Sequence, residues 1–147
     1  MSFEPECVFC QIVAGGAPAE IVYQDERVTA FLDIHPATVG HTLIVPNRHS
    51  TGLRSLPDED GAYLLLIAKK LAGAMLHSDL QCDAINLFMA DGAAAGQTVF
   101  HTHLHVIPRF SSDGSSLRLH SPGKPADRPP LSETAASIRT ALEAFDD

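Results

Sequence analysis

Gly96-Gln97-Thr98-Val99-Phe100-His101-Thr102-His103-Leu104-His105-Val106-Ile107-Pro108-Arg109 places three of the chain's eight histidines at every second position. Read as a strand from Val99 to Ile107, the stretch sends alternate side chains to opposite faces, so all three imidazoles project the same way. Neighbouring ones then stand about 6.6 Å apart along the backbone, at a rise of ~3.3 Å per residue. Imidazole can accept, donate or coordinate near neutral pH. Three in a row on one face mark a place where something is gripped or attacked.

Two chemistries fit that row. An unprotonated ring nitrogen can attack phosphorus, provided the other ring nitrogen donates to a fixed carbonyl. The next histidine can then donate to the phosphoryl oxygens as charge spreads over them. Histidines two apart on a strand are also ordinary ligands for zinc or iron, so a metal-dependent enzyme using the triad as ligands is a rival reading. No Asp or Glu lies between Gly92 and Arg109, which suits a two-metal or Mg²⁺-dependent phosphate site poorly. The small-residue loop Asp91-Gly92-Ala93-Ala94-Ala95-Gly96 lets backbone N–H groups approach a phosphate closely, and Gln97 and Thr98 add neutral donors.

Upstream, Cys7 to Val13 reads as a short helix or turn ended by Gly15-Gly16 and Pro18. Strands follow at Glu20–Gln24 and Arg27–Leu32, then a Pro- and Gly-shaped loop from Asp33 to Gly40, and a third strand from His41 to Pro46. Pro57-Asp58-Glu59-Asp60 opens the longest helix, with acidic residues where the helix dipole favours them. Leu64, Ile67, Leu71 and Met75 form its apolar stripe, and its end falls near His77 and Ser78. A fourth strand covers Ala84–Met89, and the histidine strand is the fifth. Residues 111–130 are rich in Ser, Gly and Pro and read as a long surface excursion. A last helix within residues 131–147 carries Ala135, Ile138, Leu142 and Phe145 on one face. The order predicts one α+β domain over residues 1–147: a five-stranded antiparallel sheet with one long helix and a C-terminal helix packed on it.

Composition sets outer limits. At 147 residues, 45% hydrophobic and 19% charged, the chain can bury a real core. A formal net charge of −8 with no block of Lys and Arg argues against nucleic-acid binding. The acidic start, Met1 to Glu6, is unlike a signal peptide, and the apolar cluster Tyr63–Ala68 is too short to span a bilayer. A cytoplasmic location with no membrane partner is expected, where cysteines act as thiols or metal ligands before disulfides.

The stretch Gly96–Arg109 resembles the signature of the histidine triad family of nucleotide hydrolases and transferases, His-φ-His-φ-His-φ-φ with φ apolar. Phe31-Leu32-Asp33-Ile34-His35-Pro36 and Gly40-His41-Thr42-Leu43-Ile44-Val45-Pro46-Asn47-Arg48-His49 resemble that family's other motif block. With Cys7 and Cys10 the resemblance spans residues 7–110. It implies that His103 is the nucleophile forming a covalent nucleotidyl intermediate at the α-phosphate. His105 would hold the phosphate oxygens, and His41 would support the site from the adjacent strand. Asp33 would bind ribose hydroxyls, and Gln97 and Thr98, beside Gly96, would lie near the phosphate and leaving group. Ile34, with Val22 or Phe9, would wall the base. A purine nucleotide substrate, either a phosphoramidate or a dinucleoside polyphosphate, and a homodimeric assembly are also implied.

Cys7-x-x-Cys10 by itself fits a redox pair, a metal half-site or chance. Branches of the same family, and the related uridylyltransferases, carry zinc through matching positions, which implies a structural zinc ion held by Cys7, Cys10, His49 and His101. Two positions depart from the family pattern. Thr102 replaces an apolar residue on the face away from the histidines. Ala90, seven residues before Gln97, stands where relatives carry Asn or Gln and cannot donate a hydrogen bond from its side chain. A nucleotide-binding or sensing module with little turnover is therefore a second rival. Cys82 reads as a lone thiol, His77 and His120 as solvated, His35 as a loop residue, and Arg109 as either a surface charge or an aid to leaving-group phosphates.

Overall fold

The computed structural model describes residues 2–113 and 129–145. Helix α1, Val8–Val13, leads into strands β1, Ile21–Gln24, β2, Val28–Leu32, and β3, Thr42–Pro46. The long helix α2, Asp58–Leu76, is followed by β4, Ala84–Phe88, β5, Leu104–Arg109, and the C-terminal helix α3, Leu131–Phe145. All pairings are antiparallel in the order β1-β2-β3-β5-β4, so the chain has the α+β fold that its element order predicts.

The central strands β2 and β3 are buried at every position, because both faces of the sheet are covered. Val28, Ala30, Leu32, Ile44, Leu104 and Val106 face α2 and α3, where they meet Leu64, Ile67, Leu71, Met75, Ile138 and Leu142. Truncating one of the fully buried leucines here to alanine costs roughly 2–5 kcal/mol. The alternate residues Phe31, Leu43 and Val45 turn to the other face and pack with Phe9 and Ile12 of α1. That second face carries the candidate site.

Three expectations need correction or limits. The histidine strand begins at Leu104 rather than Val99, so only His105 of the triad lies within it. Val22 joins the α2/α3 side of the core instead of walling a base. Residues 114–128, which hold most of the expected excursion and His120, lie outside the described residues, as does the side chain of Phe145.

Asp25 ties the β1–β2 turn to α2. Its carboxylate accepts hydrogen bonds from the backbone N–H of Arg27 at 2.7 Å and Val28 at 2.8 Å, and from the Tyr23 hydroxyl at 2.7 Å and the Tyr63 hydroxyl. Arg27 lies over the Tyr63 ring at 4.2 Å and pairs with Asp60 at 3.1 Å. Burial alone would raise the Asp25 pKa. The donors outweigh it, Tyr63 first, and hold the carboxyl below its ordinary value. The contribution to stability is complete above the ordinary carboxylate pKa of about 4 and is lost as pH falls through the lower folded value. Asp25→Asn is expected to cost about 1–2 kcal/mol at pH 7. Denaturant melts should show that gap narrowing in acid, and a pH-independent gap would contradict the assignment.

Candidate active site

The face opposite α2 and α3 holds a cavity of about 320 Å³. Val8, Phe9 and Ile12 of α1, Phe31 and Leu43 of the sheet, and Ile34 and Val99 form its apolar wall. The polar groups Asp33, His35, Thr98, His103 and His105 also line it. An apolar cavity with a few convergent polar groups is the usual form of a small-molecule site.

The period-2 pattern explains which way the histidines point. Leu104 and Val106 face the helices, so His105 faces the cavity, paired across the sheet with Leu43 and Phe88. The His103 and His105 ring centroids are 5.1 Å apart. Phe9 meets the His103 ring edge-on at 5.2 Å. Thr102 is buried on the other side, where its backbone N–H and its hydroxyl both donate to the Ser50 carbonyl, at 2.7 and 3.1 Å.

Hydrogen-bond partners assign each ring's proton. His103 Nδ1 lies 2.7 Å from the His101 carbonyl oxygen, which can only accept. Nδ1 therefore carries the hydrogen and Nε2 keeps its lone pair. Burial pushes the His103 pKa down, so the ring is neutral at pH 7. His41 Nδ1 accepts from the Ala37 N–H at 2.9 Å, which leaves the His41 proton on Nε2. That proton points to His105 Nδ1 at 2.8 Å, with Asp33 Oδ2 at 3.6 Å. His105 Nδ1 is thus an acceptor and its proton sits on Nε2. The relay presents a lone pair on His103 beside an N–H donor on His105.

Asp33 accepts from the His35 N–H at 2.8 Å through Oδ1, and Ile34 is 69% exposed at the cavity wall. Gly96 and Thr98 also line the cavity, whereas Gln97 does not. Gln97 Oε1 accepts from the Gly92 N–H at 2.8 Å, and its Nε2 donates to the Thr51 and Val99 carbonyls at 2.7 and 3.0 Å. Its side chain is engaged in these loop bonds and does not line the cavity. Gly92 and Gly96, with φ of 106° and 96°, bracket a tight turn at Ala93–Ala95 that a Cβ at either end would strain. The N–H groups of Ala95, Gly96 and Gln97 bond within that turn, so they are not the phosphate donors the small-residue loop suggests. Arg109 pairs with Asp113 at 3.0 Å and Asn86 at 2.6 Å, away from the cavity lining. Cys82 is a core thiol donating to the Met75 carbonyl.

Behind the cavity, ligand atoms of Cys7, Cys10, His49 and His101 all lie within 4.8 Å of one another. His101 Nδ1 is 3.3 Å from Cys7 Sγ and 3.5 Å from Cys10 Sγ, and His49 Nδ1 is 3.4 Å from Cys10 Sγ. His101 Nε2 donates to the Pro46 carbonyl at 2.8 Å, which turns the Nδ1 lone pair toward the sulfurs. This outer bond is the kind that orients a metal-ligating histidine, and burial lowers the His101 pKa to about 4, keeping the ring neutral. Two thiols and two imidazoles so arranged fit a tetrahedral zinc ion. Asp33, His41 and His105 form the other compact group among the described residues, and His103 belongs to neither. The triad is therefore divided, and a single metal centre using all three histidines does not fit. The tautomers are open to test by ¹⁵N NMR at neutral pH: protonated Nδ1 on His103 and protonated Nε2 on His105 are expected. The reverse on His103 would refute the relay.

The HIT domain family model matches residues 14–112. An uncharacterised HIT-like protein of Borreliella burgdorferi is 47% identical over 115 residues, covering 77% of this chain and 82% of that protein. An Arabidopsis thaliana adenylylsulfatase is 36% identical over 124 residues, covering 82% of this chain and 62% of that protein. A zinc-bound histidine triad family protein from Mycobacterium smegmatis superposes with a TM-score of 0.85 at 41% identity, covering 96% of both chains. With the family model spanning most of the chain and the fold and divided triad in place, this protein belongs to the HIT (histidine triad) family.

Proposed function

We propose that this protein hydrolyses a purine nucleotide at its α-phosphate through a covalent nucleotidyl-histidine intermediate. The observation that carries the reading is the pairing of an unprotonated His103 Nε2 with a protonated His105 Nε2 on one cavity wall. His103 Nε2 attacks phosphorus, a P–N bond forms as the bond to the leaving group breaks, and the leaving group departs with that electron pair, an amine taking up a proton from solvent. The His105 N–H donates to a non-bridging oxygen as negative charge grows there. Water then displaces His103, losing a proton to solvent and releasing the nucleoside monophosphate. His41, buried behind His105, positions that donor without touching the nucleotide. Asp33 faces the ribose hydroxyls, and the apolar wall from Phe9 to Ile34 takes the base. The adenylylsulfatase relative, named for an adenylyl substrate, favours adenine.

The cysteine–histidine cluster holds a structural zinc ion in this reading. Cys7, Cys10, His49 and His101 would supply all four ligands of a closed site, so a bound ion would crosslink α1 to the segments carrying His49 and His101 and serve a structural role. About one zinc per chain is expected, lost in Cys10→Ser, by elemental analysis. A homodimer is supported by β4 at the sheet edge, with Leu87 45% exposed, and by Leu65 and Leu66 exposed at 58% and 47% on α2. Sedimentation should give about twice the 15.7 kDa chain mass.

Ala90 in the cavity lining favours the second reading, a nucleotide binder with little turnover. Incubation with adenosine 5′-phosphoramidate separates the two. Release of AMP by the wild type is expected, falling about 10³-fold or more in His103→Ala and about 10²-fold in His105→Ala. Nucleotide binding without AMP release would sink the hydrolase.

A further inference from the structure

We infer that the Cys7/Cys10/His49/His101 centre and the nucleotide cavity are thermodynamically coupled: a metal ion in the first tightens nucleotide binding in the second. The inference rests on the zinc and nucleotide readings above. Helix α1 serves both sites at once. Cys7, its N-cap, and Cys10 belong to the ligand cluster, while Val8, Phe9 and Ile12 belong to the cavity wall. Six residues, fewer than two turns, do not hold a helix in place without outside contacts. Phe9 lies between the sites, with ring centroids 5.9 Å from His101, 5.2 Å from His103 and 5.3 Å from Phe31.

A second connection runs through His101 itself. Its ring faces the two sulfurs, and its carbonyl accepts the His103 Nδ1 proton. The segment before α1 closes the cluster from outside: the His49 N–H donates to the Ser2 carbonyl at 3.0 Å, and Gln11 Nε2 donates to the Pro5 carbonyl at 3.0 Å. An ion joining Cys7 and Cys10 to His49 and His101 therefore fixes the Phe9 wall and the carbonyl that sets the His103 tautomer. Without it, α1 is held by the packing of Phe9 and Ile12 on Phe31, Leu43 and Val45, and the nucleotide bears the remaining cost of fixing the wall in its own affinity. Binding free energies are reciprocal, so the nucleotide must tighten the metal by the same factor.

The test is a two-way titration with zinc ion and AMP. AMP is titrated calorimetrically into the zinc-loaded and the chelator-stripped full chain, and zinc affinity is measured against a metal indicator with and without saturating AMP. An equal factor of about tenfold in both directions is expected, within the roughly 5- to 150-fold range of site–site coupling. Phe9→Leu, which keeps all four ligands, should still bind one zinc but reduce the factor to a few-fold. Equal AMP affinity in the two forms, or full coupling retained in Phe9→Leu, overturns the inference. A stripped chain that loses its circular dichroism overturns it differently, by making zinc a folding requirement. Absence of zinc uptake removes the metal reading, and absence of AMP binding to the zinc-loaded chain removes the nucleotide reading; either takes the coupling with it.

Discussion

The hydrogen bond from His103 Nδ1 to the His101 carbonyl is the constraint on which the site depends. It decides which nitrogen of His103 faces the cavity with a lone pair. It works only because His101 is held from several sides, its Nε2 on the Pro46 carbonyl and its Nδ1 among the cysteine sulfurs. A carbonyl on a mobile loop would set no tautomer. Here the residue next to the strand entrance is anchored by its ring, so its backbone can orient its neighbour. His41 does the same for His105, using the Ala37 N–H as its own anchor. His103 and His105 are thus each oriented by a group one step further from the cavity.

The sheet supplies the rigidity these bonds need. Strands β2 and β3 are buried on both faces, with α2 and α3 on one side and α1 on the other. The α2/α3 side is a broad apolar core. The α1 side is small, and polar groups and the cysteine–histidine cluster carry part of the work that apolar area does opposite. The candidate site residues collect on this thinner side because a cavity can exist there without opening the main core.

Much of the fold was legible in the sequence. The stripe Leu64, Ile67, Leu71 and Met75 is buried as its spacing predicts, and α2 ends one residue before His77. The grouping of Cys7 and Cys10 with His49 and His101 was implied by resemblance, and the four converge in space. The start of the histidine strand was not legible. Alternation continues back to Val99, but Thr102 bonds to Ser50 and Gln97 pins Thr51 and Val99, so these residues pair outside the ladder. Hydrophobic period cannot report side-chain-to-backbone bonds of this kind. The same blindness explains Gln97, whose donor chemistry was visible while its partners, over forty residues away for Thr51, were not. The Asp25 node with Tyr23 and Tyr63 was not legible either, since Tyr63 reaches it across the fold from α2.

In the proposed reaction His103 Nε2 becomes covalently bonded to the α-phosphorus. Rapid quenching under non-acidic conditions during turnover of an adenosine phosphoramidate, followed by peptide mapping, tests it directly. An adenylyl group on His103, absent from His103→Ala, is expected. A label on another residue, or steady AMP release with no labelled chain at any time, would contradict it.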